Sequence, residues 1–545
     1  MIMKLLYNAR IVLPDQKRVQ GAILVQDGLI AAVGEQEHLL KNCPANAEKI
    51  DLQGACVLPG FIDSHLHIRM GAEYLTNIGL RDARTMAEVV RRVEDFAHTH
   101  PEQEWLLGLE WSYGYADLPP EGFDRSMLDA VVPDRPVFLQ SGMAHAAWAN
   151  SKALELAGID ASTPDPEGGE IVRRADGSPS GWLKEGASKL VAAHVPPMNE
   201  TMLQAGLERV LGEFARCGIT RVESAAYDEG LFPLLEKMEK AGVLTCRIGV
   251  MVEMPPPVLS ETRLADIEAL RQKYHSPMLS LDGVKFFLDG VLESHTAYMP
   301  QGYGDNPREI GTLVWDPAVY KRAVQQVSHA GFQIWTHAIG SGAIQLALDA
   351  YAQTPAETRS LRHRVEHVEI PFEEDIPRFE ALGVVACLQP VMVAPSDEWM
   401  GMQGIWAQRV RAEEHGRAFP VRSLLGAGSV LAFGTDWPIV SLSPLHGLYK
   451  AVTRCSLAGG TAFVPQQGIG IQEALYAYTV SGAYACHREQ QEGMIAVGRF
   501  ADLVVLDADP ADVPVNRIPD ISVLMTFLEG RVVYDARVDC TEKAA

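Results

Sequence analysis

The chain has 545 residues and a formal charge of −23, with 47% apolar and 21% charged residues. This length exceeds one small core and implies two or three domains of ordinary globular composition. The acidic excess argues against a nucleic-acid or anionic-membrane partner, and no run approaches the roughly 20 apolar residues of a membrane helix.

The opening residues, Met1 to Arg10, lack a signal-peptide core. The eight cysteines (Cys43, Cys56, Cys217, Cys246, Cys387, Cys455, Cys486, Cys540) form no Cys-x-x-Cys pair. Free thiols scattered through apolar runs suit a reducing compartment, so a cytoplasmic protein is expected. Ala22 to Gln26 and Leu29 to Gly34 flank Asp27-Gly28, the signature of a hairpin. The far end is alike, with Ala501 to Leu506, then Val523 to Leu528 and Arg531 to Tyr534 around Glu529-Gly530. These terminal segments, 1–55 and 489–545, are expected to pair into one satellite β-sandwich.

Between them, over 56–488, apolar strand-like runs alternate with helical periodicity, the pattern of a parallel α/β sheet. Eight runs are visible, near Cys56–Ser64, Ile219–Ser224, Thr245–Glu253, Ser280–Asp289, Phe332–Thr336, Arg364–Glu369, Val384–Gln389 and Val430–Gly434. In 202–217, Leu203, Leu207, Val210, Leu211 and Phe214 recur at three- and four-residue spacings, as on one helix face. Eight strand–helix units close a (β/α)8 TIM barrel, whose active site lies at the C-terminal ends of its strands. The stretch from about 69 to 197, rich in Gly, Pro and charge, reads as an insertion after the first barrel strand, placed to form a wall or lid of the substrate pocket.

Metal-ligand residue types fall at the ends of those strands. His65 and His67, in Phe-Ile-Asp-Ser-His-Leu-His, stand at i and i+2 and can present two imidazoles to one point. His337 ends the fifth run and His367 the sixth, and Asp436 follows the eighth in Gly-Thr-Asp-Trp-Pro. Imidazole nitrogen and carboxylate oxygen suit a zinc-type cation with one position open for water. Each histidine alone could be a satisfied core residue, and Asp436 alone could brace its turn. Together they point to a metal-dependent hydrolase. Strand alternation turns Lys285 inward, away from the apolar side formed by Val284, Phe286 and Leu288. An ammonium there is costly unless paired. Lys285 therefore either pairs with Asp289 or is a neutral amine that becomes modified and bridges two metals. Trp111, His145 and His295 are candidate substrate-binding residues, each equally consistent with a structural role.

This ordered set, with Gly-Phe-Ile-Asp-Ser-His-Leu-His and the terminal segments Asp27 to Gly34 and Gly498 to Asp507, resembles the amidohydrolase superfamily. Asp282-Gly-Val-Lys285-Phe-Phe-Leu-Asp289-Gly290, Thr336-His337-Ala-Ile-Gly340, Gly142 to Ser151 and Gly181 to Glu185 resemble the branch containing N-substituted formamide deformylases. The resemblance implies one or two divalent ions, zinc the usual one, held by His65, His67, Lys285, His337, His367 and Asp436, with Lys285 carboxylated in a binuclear site. It also implies hydrolysis of a carbon–nitrogen bond, amide or N-formyl, in a small-molecule substrate. In that mechanism Asp436 takes a proton from the activated water and returns it to the leaving amine. Carbamate, lactone or ester hydrolysis is the alternative on the same metal set, and a non-catalytic scaffold is a further one. A homodimer is a reasonable assembly.

Overall fold

The computed structural model describes residues 3–112, 114–141, 146–166, 169–226, 228–256, 260–393 and 405–538. Eight strands run in chain order around one parallel sheet: β1 (Phe61–Leu66), β2 (Ile219–Ser224), β3 (Arg247–Glu253), β4 (Leu279–Phe287), β5 (Gln333–Ala338), β6 (Arg364–His367), β7 (Val385–Leu388) and β8 (Leu431–Phe433). Each pairs in parallel with the next. Their β-branched and aromatic residues suit a sheet buried on both faces. Every residue of β1, β2, β5, β6, β7 and β8 is buried.

The sheet closes where the segment after β8 meets β1. The Asp436 N–H donates to the His65 carbonyl (2.6 Å), and the His67 N–H to the Trp437 carbonyl (2.9 Å). Asp63 accepts from the Thr435 N–H and hydroxyl at 3.0 and 2.6 Å. Gly434 makes this approach possible, because a Cβ there would lie 2.5 Å from the His65 nitrogen. Helices cover the outside. Pro317–His329 is a representative: Asp316 caps its first two N–H groups at 3.0 Å, and Tyr320, Ala323, Val324 and Val327 face inward.

The run 56–64, expected as one strand, is two. Cys56–Pro59 lies antiparallel to Leu503–Leu506 in a separate sheet, and only Phe61–Leu66 enters the barrel. Gly60 separates them at a point where any Cβ would collide with Thr220. That separate sheet orders its strands as Arg531–Asp535, Val523–Leu528, Leu503–Leu506, Cys56–Pro59, Met3–Val12, Arg18–Gln26 and Leu29–Gly34, with Glu48–Asp51 beside Met3–Val12. Both ends of the chain therefore build one satellite sheet, around Leu6, Ile11, Ile23, Val57, Leu503 and Phe527.

Residues Met70–Val210 form a second compact unit, apart from the unit made by Met1–Arg69 and Leu211–Ala545. It carries a six-stranded sheet of Gly169–Arg173, Pro179–Glu185, Ala146–Ala149, Val137–Ser141, Leu106–Trp111 and Ile78–Gly79. No helix among the described residues is long and apolar enough to cross a membrane.

Candidate metal centre

β1 delivers His65 from a fully buried strand, and the chain beyond it delivers His67. One oxygen of Asp436, Oδ1, lies 3.5 Å from His65 Nε2 and 3.1 Å from His67 Nε2. The His367 ring stands 4.9 Å from that of His65, and the His337 ring 4.6 Å from that of His367. One ligand atom each of His65, His367 and Asp436 lie within 4.8 Å of one another, all on buried residues. The five side chains expected from the ends of β1, β5, β6 and β8 thus gather at one place.

Backbone geometry helps to aim them. Consecutive residues of a strand face opposite ways, yet Glu366 and His367 both reach the centre, because His367 has φ +76°. Asp436, at φ +61°, also leaves the extended conformation as the chain exits β8. The outer nitrogens of two rings are already occupied: His65 Nδ1 lies 2.5 Å from Glu366 Oε2, and His367 Nδ1 lies 2.9 Å from Gln389 Oε1. Their Nε2 atoms are the ones left to converge.

Electrostatics keeps these groups in ligand form. Burial, with the nearby Lys285, holds the His65 imidazole well below the usual histidine range. Burial, with His337 and His65, does the same for His367. Both rings are neutral and carry a lone pair. Burial works to raise the Asp436 carboxyl, but its hydrogen bond to His67 and its neighbours His65, His67 and Lys285 bring it below the usual range.

Lys285 points into the barrel from β4, fully buried. Its Nζ has no hydrogen-bond partner among the described residues, an arrangement buried polar atoms seldom tolerate. Burial pushes the amine down to about 8, against the attraction of Glu366 and Asp436. The alternative pair with Asp289 does not form. Asp289 instead accepts the backbone N–H groups of Ile339 (3.1 Å), Gly340 (2.8 Å) and Tyr298 (2.9 Å), fastening the loop after β5 to the end of β4. His337 Nδ1 lies 3.2 Å from the same carboxylate. Neutral imidazoles, a carboxylate and an orphaned buried amine make a donor set that fits a divalent cation.

The amidohydrolase family model matches residues 48–534. The chain belongs to the amidohydrolase family. It is 29% identical to the N-substituted formamide deformylase of Arthrobacter pascens, over 94% of this chain and 95% of that one. It is also 29% identical to the protein LONG AFTER FAR-RED 3 of Arabidopsis thaliana, over 94% and 88%. Among solved structures, an uncharacterized metal-dependent hydrolase from Pyrococcus furiosus superposes with a TM-score of 0.74 at 25% identity, covering 94% of this chain and all of that one.

In this amidohydrolase two of the remaining candidates, Trp111 and His295, have partners of their own. Trp111 belongs to the core of the Met70–Val210 unit, where its indole N–H donates to the Leu139 carbonyl (2.8 Å) and its ring packs on Phe123 at 4.2 Å. His295, in the loop after β4, has Nε2 3.0 Å from Asp305, which also pairs with Arg409. His145 lies outside the described residues. Sequence reasoning missed Glu366 and Gln389, the partners of His65 and His367. A signal for Glu366 was present: Arg364 and Glu366 alternate on one face of an otherwise apolar run, where charge needs a buried partner.

Proposed function

We propose that this amidohydrolase cleaves a carbon–nitrogen bond, amide or N-formyl, in a small molecule. Family membership supports metal-dependent hydrolysis in general, and the relative named as a formamide deformylase supports the choice of bond. The observation that carries the reading is the convergence of His65, His367 and Asp436 at the C-terminal end of the barrel strands, where such barrels place their chemistry.

His65, His67, His337, His367 and Asp436 would hold the cation, for which we propose zinc, and Lys285 would join them once carboxylated. A bound zinc supplies a Lewis acid that polarises a carbonyl and acidifies water. Asp436 does the proton transfer. Its carboxyl, held below the usual range, is ionised at neutral pH and accepts a proton from the attacking water. It then returns that proton to the nitrogen of the departing amine, which leaves neutral. His65 and His367, kept neutral by burial, do not compete for that proton.

The test combines metal analysis with a substrate panel. His65→Ala and His67→Ala are expected to lose bound metal and turnover together, and full occupancy with normal activity in either variant would remove the central claim. Across N-formyl amines, N-acyl amino acids, carbamates, lactones and aryl esters, the N-formyl or amide compounds should be the better substrates. Turnover confined to the esters and lactones would refute the choice of bond and leave the metal site standing.

A further inference from the structure

Behind the ligand it presents, β6 carries a buried ion pair. Arg364 and Glu366, two residues apart, share its inner face, and both side chains have 0% exposure. Arg364 donates Nε to Glu366 Oε1 at 2.8 Å and Nη2 to Oε2 at 3.0 Å. This two-point clamp fixes the plane of the carboxylate. The same Nη2 donates to the Ser64 carbonyl at 2.8 Å, so the clamp reaches from β6 to β1, the strand that bears His65. The guanidinium lies over the Trp335 ring, with Cζ 3.3 Å from its centroid. That indole in turn stacks near His65, with centroids 6.2 Å apart and planes 27° from parallel. The imidazole is therefore held by its face and by Nδ1, which meets Glu366 Oε2 at 2.5 Å. A carboxylate can only accept, so Nδ1 carries the proton and Nε2 keeps its lone pair on the side of Asp436.

A buried ion pair returns little net stability, because desolvation offsets its attraction. Groups aligned on one imidazole edge are better explained by orientation. We propose that Glu366, clamped by Arg364, is a positioning residue that fixes the tautomer and ring plane of His65 so that Nε2 serves as a metal ligand. The proposal rests on the reading of His65 as a ligand and adds what makes it a competent one. Hydrogen-bond partners of ligating histidines change metal affinity by about 10–100-fold when removed.

Two variants of the full-length protein test this. Glu366→Gln keeps size and removes the charge. The double variant Arg364→Met with Glu366→Leu removes both charges, so that no orphaned ion can unfold the barrel. Co2+ affinity, measured by chelator competition, is expected to fall about 10–100-fold in the double variant and by a smaller factor in Glu366→Gln. The visible spectrum of bound Co2+ should change in both, while the metal-free melting temperature of the double variant stays close to that of the parent. In the parent, 15N-histidine spectra should show His65, assigned by its absence in His65→Gln, as the Nδ1–H tautomer. Parental Co2+ affinity and spectrum in the double variant would overturn the proposal. So would an Nε2–H tautomer at His65 in the parent, a measurement that needs neither clamp variant to fold. Parental Co2+ affinity in His65→Gln would instead remove the ligand reading itself.

Discussion

Asp436 turns one oxygen toward both imidazoles of the His65–His67 pair, at 3.5 and 3.1 Å, and its neighbours favour the ionised form. An amide of the same shape keeps the contacts and cannot take a proton at neutral pH. Asp436→Asn is therefore expected to fold, to retain much of its metal and to lose at least about 10²-fold in kcat. Single-turnover rates are the measurement, and an unchanged chemical step would rule out the proton-transfer role. Lys285 makes a different demand. Near 8, its amine supplies the neutral form at physiological pH far more readily than a surface lysine does. A neutral amine can add carbon dioxide, releasing a proton and becoming an anionic ligand. Electron density is then expected to show three atoms beyond Nζ and two ions about 3.5–4 Å apart. Lys285→Ala should lose most of its activity and recover part of it with a short carboxylic acid. An unmodified amine beside a single ion would end the bridging role and leave the histidine site intact.

At the level of strands, the residue types that bind metal were readable because each follows an apolar run, and a barrel brings such run ends together. What was not readable depends on partners distant in sequence. Gly60 looks like an ordinary glycine until Thr220 is packed against it, so one expected strand proved to be two. Glu366 and His367, adjacent in sequence, reach one centre only through a positive φ that no periodicity reveals. Gly434 is a further case. A methyl there would sit 2.5 Å from the His65 nitrogen and 2.8 Å from its Cβ. Gly434→Ala should therefore push β8 from β1, costing roughly 1–3 kcal/mol as overpacking does and lowering metal occupancy as well. An alanine variant with parental stability and occupancy would mean that the closure has slack. Just before β6, His363 accepts the Ile334 N–H at 3.2 Å and lies 3.0 Å from the Ser328 hydroxyl. Burial pushes its imidazole down to about 3. The folded ring stays neutral while the unfolded one gains a proton below about 6.5, so its contribution is complete above that pH and is lost progressively down to about 3. His363→Asn should flatten the fall of stability across that window by up to about 1.4 kcal/mol per pH unit. Parallel slopes in acid-dependent denaturant melts would exclude His363 as a source of acid lability.

Across the whole molecule, the association of the two chain ends was legible because both carry short alternating runs with Asp-Gly or Glu-Gly turns. The order of strands in the shared sheet was not, since pairing between residues about 450 positions apart leaves no local trace. Buried charge ties that sheet to the barrel floor. Arg247 on β3 pairs with Asp502, beside the strand Leu503–Leu506, at 2.7 Å, and with the more exposed Glu529 at 3.1 Å. The barrel and the terminal sheet should consequently unfold as one unit, and a ligand held at the barrel mouth should stabilise both. The proposed donors of the metal centre come from strands separated by up to 371 residues, from His65 to Asp436, so the unfolded chain has no comparable site. Metal bound only to the folded state adds RT ln(1 + [L]/Kd), about 2.7 kcal/mol at a hundredfold excess over Kd. Removing metal with a chelator is expected to lower the melting temperature of the terminal sheet along with that of the barrel, and restoring Zn2+ should raise both with the logarithm of its concentration. His65→Ala should flatten this dependence, because it removes a proposed ligand from the folded state alone. A melting temperature independent of metal in the parent protein would mean that the converging side chains hold no ion. A barrel that responds while the terminal sheet does not would show that the buried charges fail to join them.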